Sequence, residues 1–313
     1  IKKKVFFFDN LYEEDILKLK KNFKSKNVLY IIISKSGNTI ETISNLFSLS
    51  ILKKRNRNII IITEKKDNIL YILAKKFDLY FIEHKSHIGG RYSVLSEVGI
   101  VPAFLMGLNI EELRKNLKKY LKNKSKEKNF LKESTTILAN ILQKEKKNNL
   151  IFLNYEPKLS KFLQWCQQLI AESLGKKGKG FLPFISEMPK DNHSLLQLYL
   201  DGPKDKIFII FSYKHEEKLM INTKKFTNRF DFLHKKKITD VKEAQKNALI
   251  KIFNSKKISF REFTIKNLNE ETLGELFCYF ILETIIIGKM LNLNPFNQPA
   301  VEDVKIIAKK ILN

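Results

Sequence analysis

Apolar residues along the chain gather into two kinds of run. Short β-branched runs with hardly any polar interruption stand at residues 28–34, 59–63 and 79–83. Runs of that length without alternation predict strands buried on both faces, as in a parallel sheet. Between them, residues 39–53 and 68–77 carry apolar positions at helical spacing. Strand and helix in alternation predict an α/β fold in which helices cover both faces of a parallel sheet. Residues 93–107 predict an apolar helix after a Gly-Gly turn, and Val5-Phe6-Phe7-Phe8 reads as a further strand near the start.

The pattern changes at residue 109. Residues 111–128 are dense in charge and 135–142 are amphipathic, which predicts a long helical connector over 109–149. A second alternating region follows, with strands at 150–154, 206–212 and 258–264 and helices at 157–174 and 240–253. Two helices, 273–291 and 299–312, close the chain. The expected architecture is therefore two three-layer α/β/α domains, 1–108 and 150–313, joined by the connector 109–149.

Composition narrows the function classes. The 313 residues are 43% apolar, and no uncharged apolar stretch approaches the length of a membrane span, so neither disorder nor a transmembrane helix is expected. Cys166 and Cys278 form no C-x-x-C pair, which argues against a disulfide framework or zinc and for a reducing cytoplasm. The net charge of +25 comes from 58 basic residues, of which six are arginine. Nucleic-acid readers favour arginine, and these lysines are spread along nearly every helix, so a solvated coat is the reading and no nucleic-acid partner is expected. A positive field would still concentrate an anionic substrate.

Five segments carry candidate chemistry. Ser34-Lys35-Ser36-Gly37-Asn38-Thr39-Ile40-Glu41-Thr42 stands where a buried strand ends and a helix begins, the place where parallel sheets bind ligands. Gly37 permits a sharp turn, the hydroxyls of Ser34, Ser36 and Thr39 can donate, and a helix amino terminus favours an anion such as phosphate. A capping box of Ser36 or Thr39 with Glu41 would account for the same residues equally well. Next, Gly89-Gly90-Arg91-Tyr92-Ser93 sets one rigid guanidinium at a helix start in a chain nearly without arginine. Gln168 and Glu172, four apart, share one helical face near the helix end. His193 lies in Asp191-Asn192-His193-Ser194, whereas His84, His87, His215 and His234 have no comparable context and read as structural or surface residues. Finally, Gln298 precedes Pro299, a residue suited to opening a helix, and Lys305 follows about two turns inside.

The first segment resembles the phosphosugar loop of the sugar isomerase (SIS) superfamily, and the Gly-Gly-Arg-Tyr-Ser core looks like the first signature of the glucose-6-phosphate isomerases. Residues 168–176 are similar to the family's Q-x-x-x-E-S-x-G-K segment, 193–197 to its H-S-x-x-Q, and 298–305 to the Q-P-x-V-E-x-x-K of bacterial members. All five occur in the family's order. The resemblance implies interconversion of glucose 6-phosphate and fructose 6-phosphate with no metal or cofactor. It implies phosphate binding by Ser34, Lys35, Ser36 and Thr39, and sugar contacts from Gly90, Gln168 and Gln298. Ring opening would fall to His193 and Lys305, proton transfer to Glu172, and stabilisation of the enediolate to Arg91. In the family the histidine reaches a neighbouring subunit, so a homodimer is expected.

One feature departs from the family. Its members carry an amino-terminal strand ending in a G-x-G-G-S loop, which this sequence lacks, so the chain is expected to begin inside a later βα unit and to be a fragment or a shortened protein. A non-catalytic phosphosugar-binding SIS module is the competing expectation, and a nucleic-acid-binding protein a third. The module would keep the Ser34–Thr39 loop without needing Arg91, Glu172, His193 and Lys305 together.

Overall fold

Strands β1 (Tyr30–Ile33), β2 (Ile59–Thr63) and β3 (Tyr80–Glu83) form a parallel sheet in the order β1-β2-β3, with Ile61 of β2 in register with Ile32 and Phe81. The computed structural model describes residues 4–22, 27–122, 124–145, 147–214, 219–224 and 229–312, and divides the chain into two compact units, Ile1–Arg114 and Lys115–Asn313. In the first unit, Ile59 and Ile61 of β2 bury against Leu46 of α2 (Ile40–Leu49) and Leu70 and Ala74 of α3 (Ile69–Lys76). Leu19 of α1 (Glu13–Asn22) joins the same core.

Burial on both faces holds for β2, where all but the half-buried Ile60 are buried, and fails for β3, whose Tyr80 is 51% exposed. Among the described strands β3 has one neighbour, so its outer edge is unpaired, and its two end residues, Tyr80 and Glu83, are exposed. Residues 5–8 carry no strand, contrary to the sequence pattern. Val5, Phe6 and Phe7 are exposed and Phe8 packs on the core, because hydrophobicity without a neighbouring strand to bond leaves the backbone unpaired. The helix expected over 93–107 is two elements, a 3₁₀ turn at Gly90–Leu95 and α4 (Glu97–Met106). Ser93 Oγ donates to the carbonyl of Gly90 and Ser96 Oγ to that of Ser93, tightening the first stretch into i→i+3 geometry. A short α5 (Ile110–Arg114) ends the unit.

The second unit holds a four-stranded parallel sheet in the order β5-β4-β6-β7, from β4 (Asn149–Asn154), β5 (Leu182–Glu187), β6 (Lys206–Tyr213) and β7 (Phe260–Ile265). Alternate residues of the two central strands face opposite ways. Ile151, Leu153, Phe208 and Ile210 pack with Tyr199 of α8 (Leu196–Asp201) and with Leu249 and Phe253 of α9 (Ile238–Ser255). Phe152 and Phe211 instead meet Phe280 of α10 (Glu270–Met290), and Phe162 of α7 (Ser160–Leu174) lies beside Phe211 and Phe280. This is the three-layer α/β/α arrangement. The 109–149 stretch is divided: α6 (Lys126–Lys144) belongs to the second unit, where Ser134 meets Glu283 of α10 at 3.3 Å. Residues 299–312 hold a 3₁₀ turn, Pro299–Val301, and then α11 (Glu302–Leu312). No helix among the described residues is long and apolar enough to cross a membrane.

Candidate active site

Between β1 and α2 the loop 34–39 sits at the carboxyl edge of the first sheet. Ser34 is buried, and its amide extends the ladder by donating to the carbonyl of Ile62 at 3.1 Å. Its Oγ lies 2.7 Å from Thr39 Oγ1 and 3.4 Å from Ser36 Oγ, and accepts from the amide of Gly37 at 3.1 Å. Three of the four expected phosphate-binding residues therefore share one hydroxyl cluster. Thr39 is the N-cap residue of α2 yet makes no side-chain cap bond. The capping-box alternative is not what these residues form: Thr39 turns its hydroxyl to Ser34, and the first-turn amides of α2 are left uncapped by it, in the arrangement that suits an anion.

The fourth residue, Lys35, is held from two sides. Its Nζ donates to the carbonyl of Ser86 at 2.9 Å and lies 3.5 Å from Glu64 Oε1. Glu64 also pairs with Lys66. Burial pushes the Glu64 carboxyl up, but the two lysines outweigh it and hold the group below the usual carboxylate range. Gly37 has φ +67°, and a Cβ there would stand 1.8 Å from Asn68 Oδ1. Asn68 caps α3 by accepting from the amide of Tyr71 at 2.9 Å, while Asn38 Oδ1 accepts from that of Ile69 at 3.0 Å. No motif flags Glu64 and Asn68, although both shape the loop. The signal available was their position, just after a buried strand and at a helix start.

Arg91, in the 3₁₀ turn, is 4% exposed, with its guanidinium 5.2 Å from the ring centre of Tyr92. Gly90 is exposed, and a Cβ built on it meets nothing within 4 Å, so its backbone faces open space.

In the second unit Gln168 and Glu172 do share a face of α7, and Gln168 Nε2 donates to Glu172 Oε1 at 3.0 Å. Gln168 is exposed and Glu172 half-buried. Gln167 Nε2 donates to the carbonyl of Pro183 at 2.8 Å, which sets this end of α7 beside the start of β5, at the amino edge of the sheet. Lys176 Nζ donates to the carbonyls of Ser173 at 2.8 Å and Asn294 at 2.6 Å, and a Cβ on Gly288 would touch both Leu174 and Pro295. The segment leading to half-buried Gln298 thus lies at the same edge. Lys305 is exposed and stands in the first turn of α11, not two turns inside a helix, because the residues after Pro299 form a 3₁₀ turn first.

His193 is exposed and follows β5 by six residues, at the opposite, carboxyl edge. Its loop is pinned by Asp191, whose Oδ2 accepts from the amide of Glu187 at 2.8 Å and Ser186 Oγ at 3.1 Å, and whose Oδ1 accepts from Ser194 Oγ at 3.1 Å. The length of β5 separates this edge from that of Glu172 by on the order of 20 Å. Among the other histidines, His84 is buried, with Nδ1 3.0 Å from the Lys85 carbonyl, His87 is exposed, His234 is half-buried with its Nδ1 unpaired among the described residues, and His215 lies outside the described residues.

Parallel sheets layered with helices, with a hydroxyl-rich loop closing the first strand over a helix start that Thr39 leaves uncapped, define an α/β protein with an anion-suited loop at the carboxyl edge of its first sheet. The chain belongs to the phosphoglucose isomerase family, whose sequence profile matches residues 1–313. A probable glucose-6-phosphate isomerase of Methanococcus maripaludis is 32% identical over 99% of this chain and 71% of its own length. The glucose-6-phosphate isomerase of Campylobacter jejuni is 31% identical over 99% and 78%. Among solved structures, a hypothetical protein from Thermus thermophilus matches with a TM-score of 0.86 at 24% identity, over 98% of this chain and 77% of that one, a likeness of fold.

Proposed function

We infer that the chain is a glucose-6-phosphate isomerase, interconverting D-glucose 6-phosphate and D-fructose 6-phosphate in glycolysis and gluconeogenesis. The observation that carries this is the family match along residues 1–313. The hydroxyl cluster of Ser34, Ser36 and Thr39 and the clamped Lys35 support it, since together they suit a dianionic phosphate.

On this reading the phosphate is held by Ser34, Lys35, Ser36 and Thr39, and the sugar is oriented by Gly90, Gln168 and Gln298. His193 and Lys305 open the ring by moving a proton between its oxygens. Glu172 then removes the proton on C2 of the aldose, leaving a cis-enediol(ate), and returns it to C1 while the hydroxyl proton passes from O2 to O1, so that no atom is gained or lost. Arg91 stabilises the developing negative oxygen, a role in which a fixed guanidinium outperforms a mobile ammonium.

Glu172 and His193 lie at opposite edges of one sheet, so a single chain does not bring both to one sugar. This supports a homodimer in which His193 serves the partner's site, in a cytoplasmic enzyme of the type with the bacterial Gln298–Lys305 segment. Wild type and Glu172→Gln should be compared in a coupled assay with fructose 6-phosphate. The substitution is expected to lower kcat by about 10²–10⁴ with phosphosugar binding retained. A wild-type chain that binds the phosphosugar without isomerising it would return the reading to a binding module.

A further inference from the structure

The second sheet has a crevice of its own. In the order β5-β4-β6-β7 the chain reverses direction of travel between β4 and β6, and ligands of open parallel sheets bind outside the carboxyl ends of the strands at such a point. A cleft of about 210 Å³ lies there. Tyr155, directly after β4, lines it together with Ser212, Tyr213 and Lys214 at the end of β6 and Lys237, Thr239, Lys242 and Lys246 from the start of α9. None of these residues belongs to the five motifs.

Three features of this cleft point to an anionic ligand. Four lysines line it against two carboxylates, Asp240 and Glu243. Asp240 is occupied locally, its Oδ2 accepting from the amide of Lys237 at 2.8 Å, and Lys246 is neutralised by Glu262 at 2.6 Å and held by Ser212 at 3.3 Å. Lys214, Lys237 and Lys242 then form a rim on which cations outnumber the carboxylates of Asp240 and Glu243 by three to two. The eighteen-residue helix α9 begins in the cleft, and Lys237, its N-cap residue, gives it no side-chain cap bond. The Asp240 carboxylate closes back on the Lys237 amide, and the amides of Asp240 and Val241 donate to the Lys237 carbonyl, so the positive end of the helix dipole is what it offers an anion. Finally, Tyr155 is 1% exposed and its buried hydroxyl has no hydrogen-bond partner among the described residues. A buried phenol without a partner is costly, and a ligand oxygen in the cleft would relieve that cost.

We propose that this cleft is a second anion site, separate from the Ser34–Thr39 loop, that takes a small phosphorylated metabolite: the phosphate on the first turn of α9 among Lys214, Lys237 and Lys242, and another ligand oxygen on the Tyr155 hydroxyl. The volume is below the roughly 300–1,000 Å³ of pockets for larger ligands, which favours a compact molecule. The site does not depend on the isomerase assignment, since it uses none of its residues.

Inorganic phosphate and glycerol 3-phosphate are the probes, titrated into the full chain at matched ionic strength and followed through the amide resonances of Thr239 and Asp240 and by calorimetry. A Ser36→Ala/Thr39→Ala variant should still bind one phosphate per chain. Adding Lys214→Glu and Lys242→Glu should abolish that binding, and Tyr155→Phe should weaken glycerol 3-phosphate about five- to tenfold. Amide resonances of α9 that stay still in the wild-type chain, or binding that survives the two lysine substitutions, would overturn the proposal. The wild-type titration decides the matter even if the multiple variant does not fold.

Discussion

Gln168 and Glu172 stand one turn apart on α7, with the amide of the first donating to the carboxylate of the second at 3.0 Å. The bond fixes the direction of the carboxylate without neutralising it, and if Glu172 is the base of the proposed isomerisation, that is what it requires of a neighbour. Gln168→Ala should therefore lower kcat/KM about tenfold or more, as for loss of a hydrogen bond to a charged group. Gln168→Glu should be worse, because two carboxylates at that distance repel. Steady-state kinetics beside a thermal melt separates this from simple destabilisation: the melting temperature should hardly move.

The opposite placement of Glu172 and His193 makes a complementation test informative. Glu172→Gln and His193→Ala chains, each nearly inactive alone, should recover activity when co-expressed, since a mixed dimer keeps one site with both residues intact. Recovery approaching half the specific activity of the wild type per mixed dimer is expected. Absence of any recovery in a purified mixed dimer would place both residues in one chain's site.

Of the motif glycines, Gly37 and Gly90 make opposite demands. Gly37 adopts φ +67° with Asn68 Oδ1 1.8 Å from a would-be Cβ, so Gly37→Ala should cost about 1–3 kcal/mol in urea unfolding and weaken phosphate binding. Gly90→Ala meets nothing within 4 Å, and its stability should stay within about 0.5 kcal/mol of wild type. Equal losses at the two positions would contradict this account.

Glu64 makes the first unit acid-sensitive. Although burial opposes it, pairing with Lys66 and Lys35 holds the carboxyl below its ordinary value of 4.5. A depressed folded-state pKa contributes stability that is full above the unfolded value and lost as pH falls through the folded one. The advantage of wild type over Glu64→Gln should therefore be largest near neutral pH and shrink below 4.5. Urea midpoints at a series of pH values between about 7 and about 3 would measure it.

Much of the fold was legible in the chain. The run at Ile59–Thr63 reads as a buried strand and is one to the residue, because its side chains pack on both faces and no polar position interrupts them. Residues 182–187 escaped notice, since β5 is an edge strand: Pro183 is tolerated where a ladder bond can be spared, and Leu182 and Phe184 are exposed. Residues 5–8 misled for the converse reason, having the composition of a strand with no strand beside them.

The sequence by itself determined what is local: the alternation of strand and helix, the turn at Gly37, the four-residue spacing that brings Gln168 to Glu172, and the order of the five motifs. Those follow from dihedral preference and periodicity within a few residues. Only the tertiary structure decided which edge of a sheet each functional residue reaches, that Thr39 turns to Ser34 instead of capping α2, and that Tyr155, Lys242 and the start of α9 enclose a cleft. A helix returns antiparallel to the strand before it, so residues as near in the chain as Glu172 and His193 end on opposite edges. Their placement is set by packing between distant segments, which no local pattern encodes.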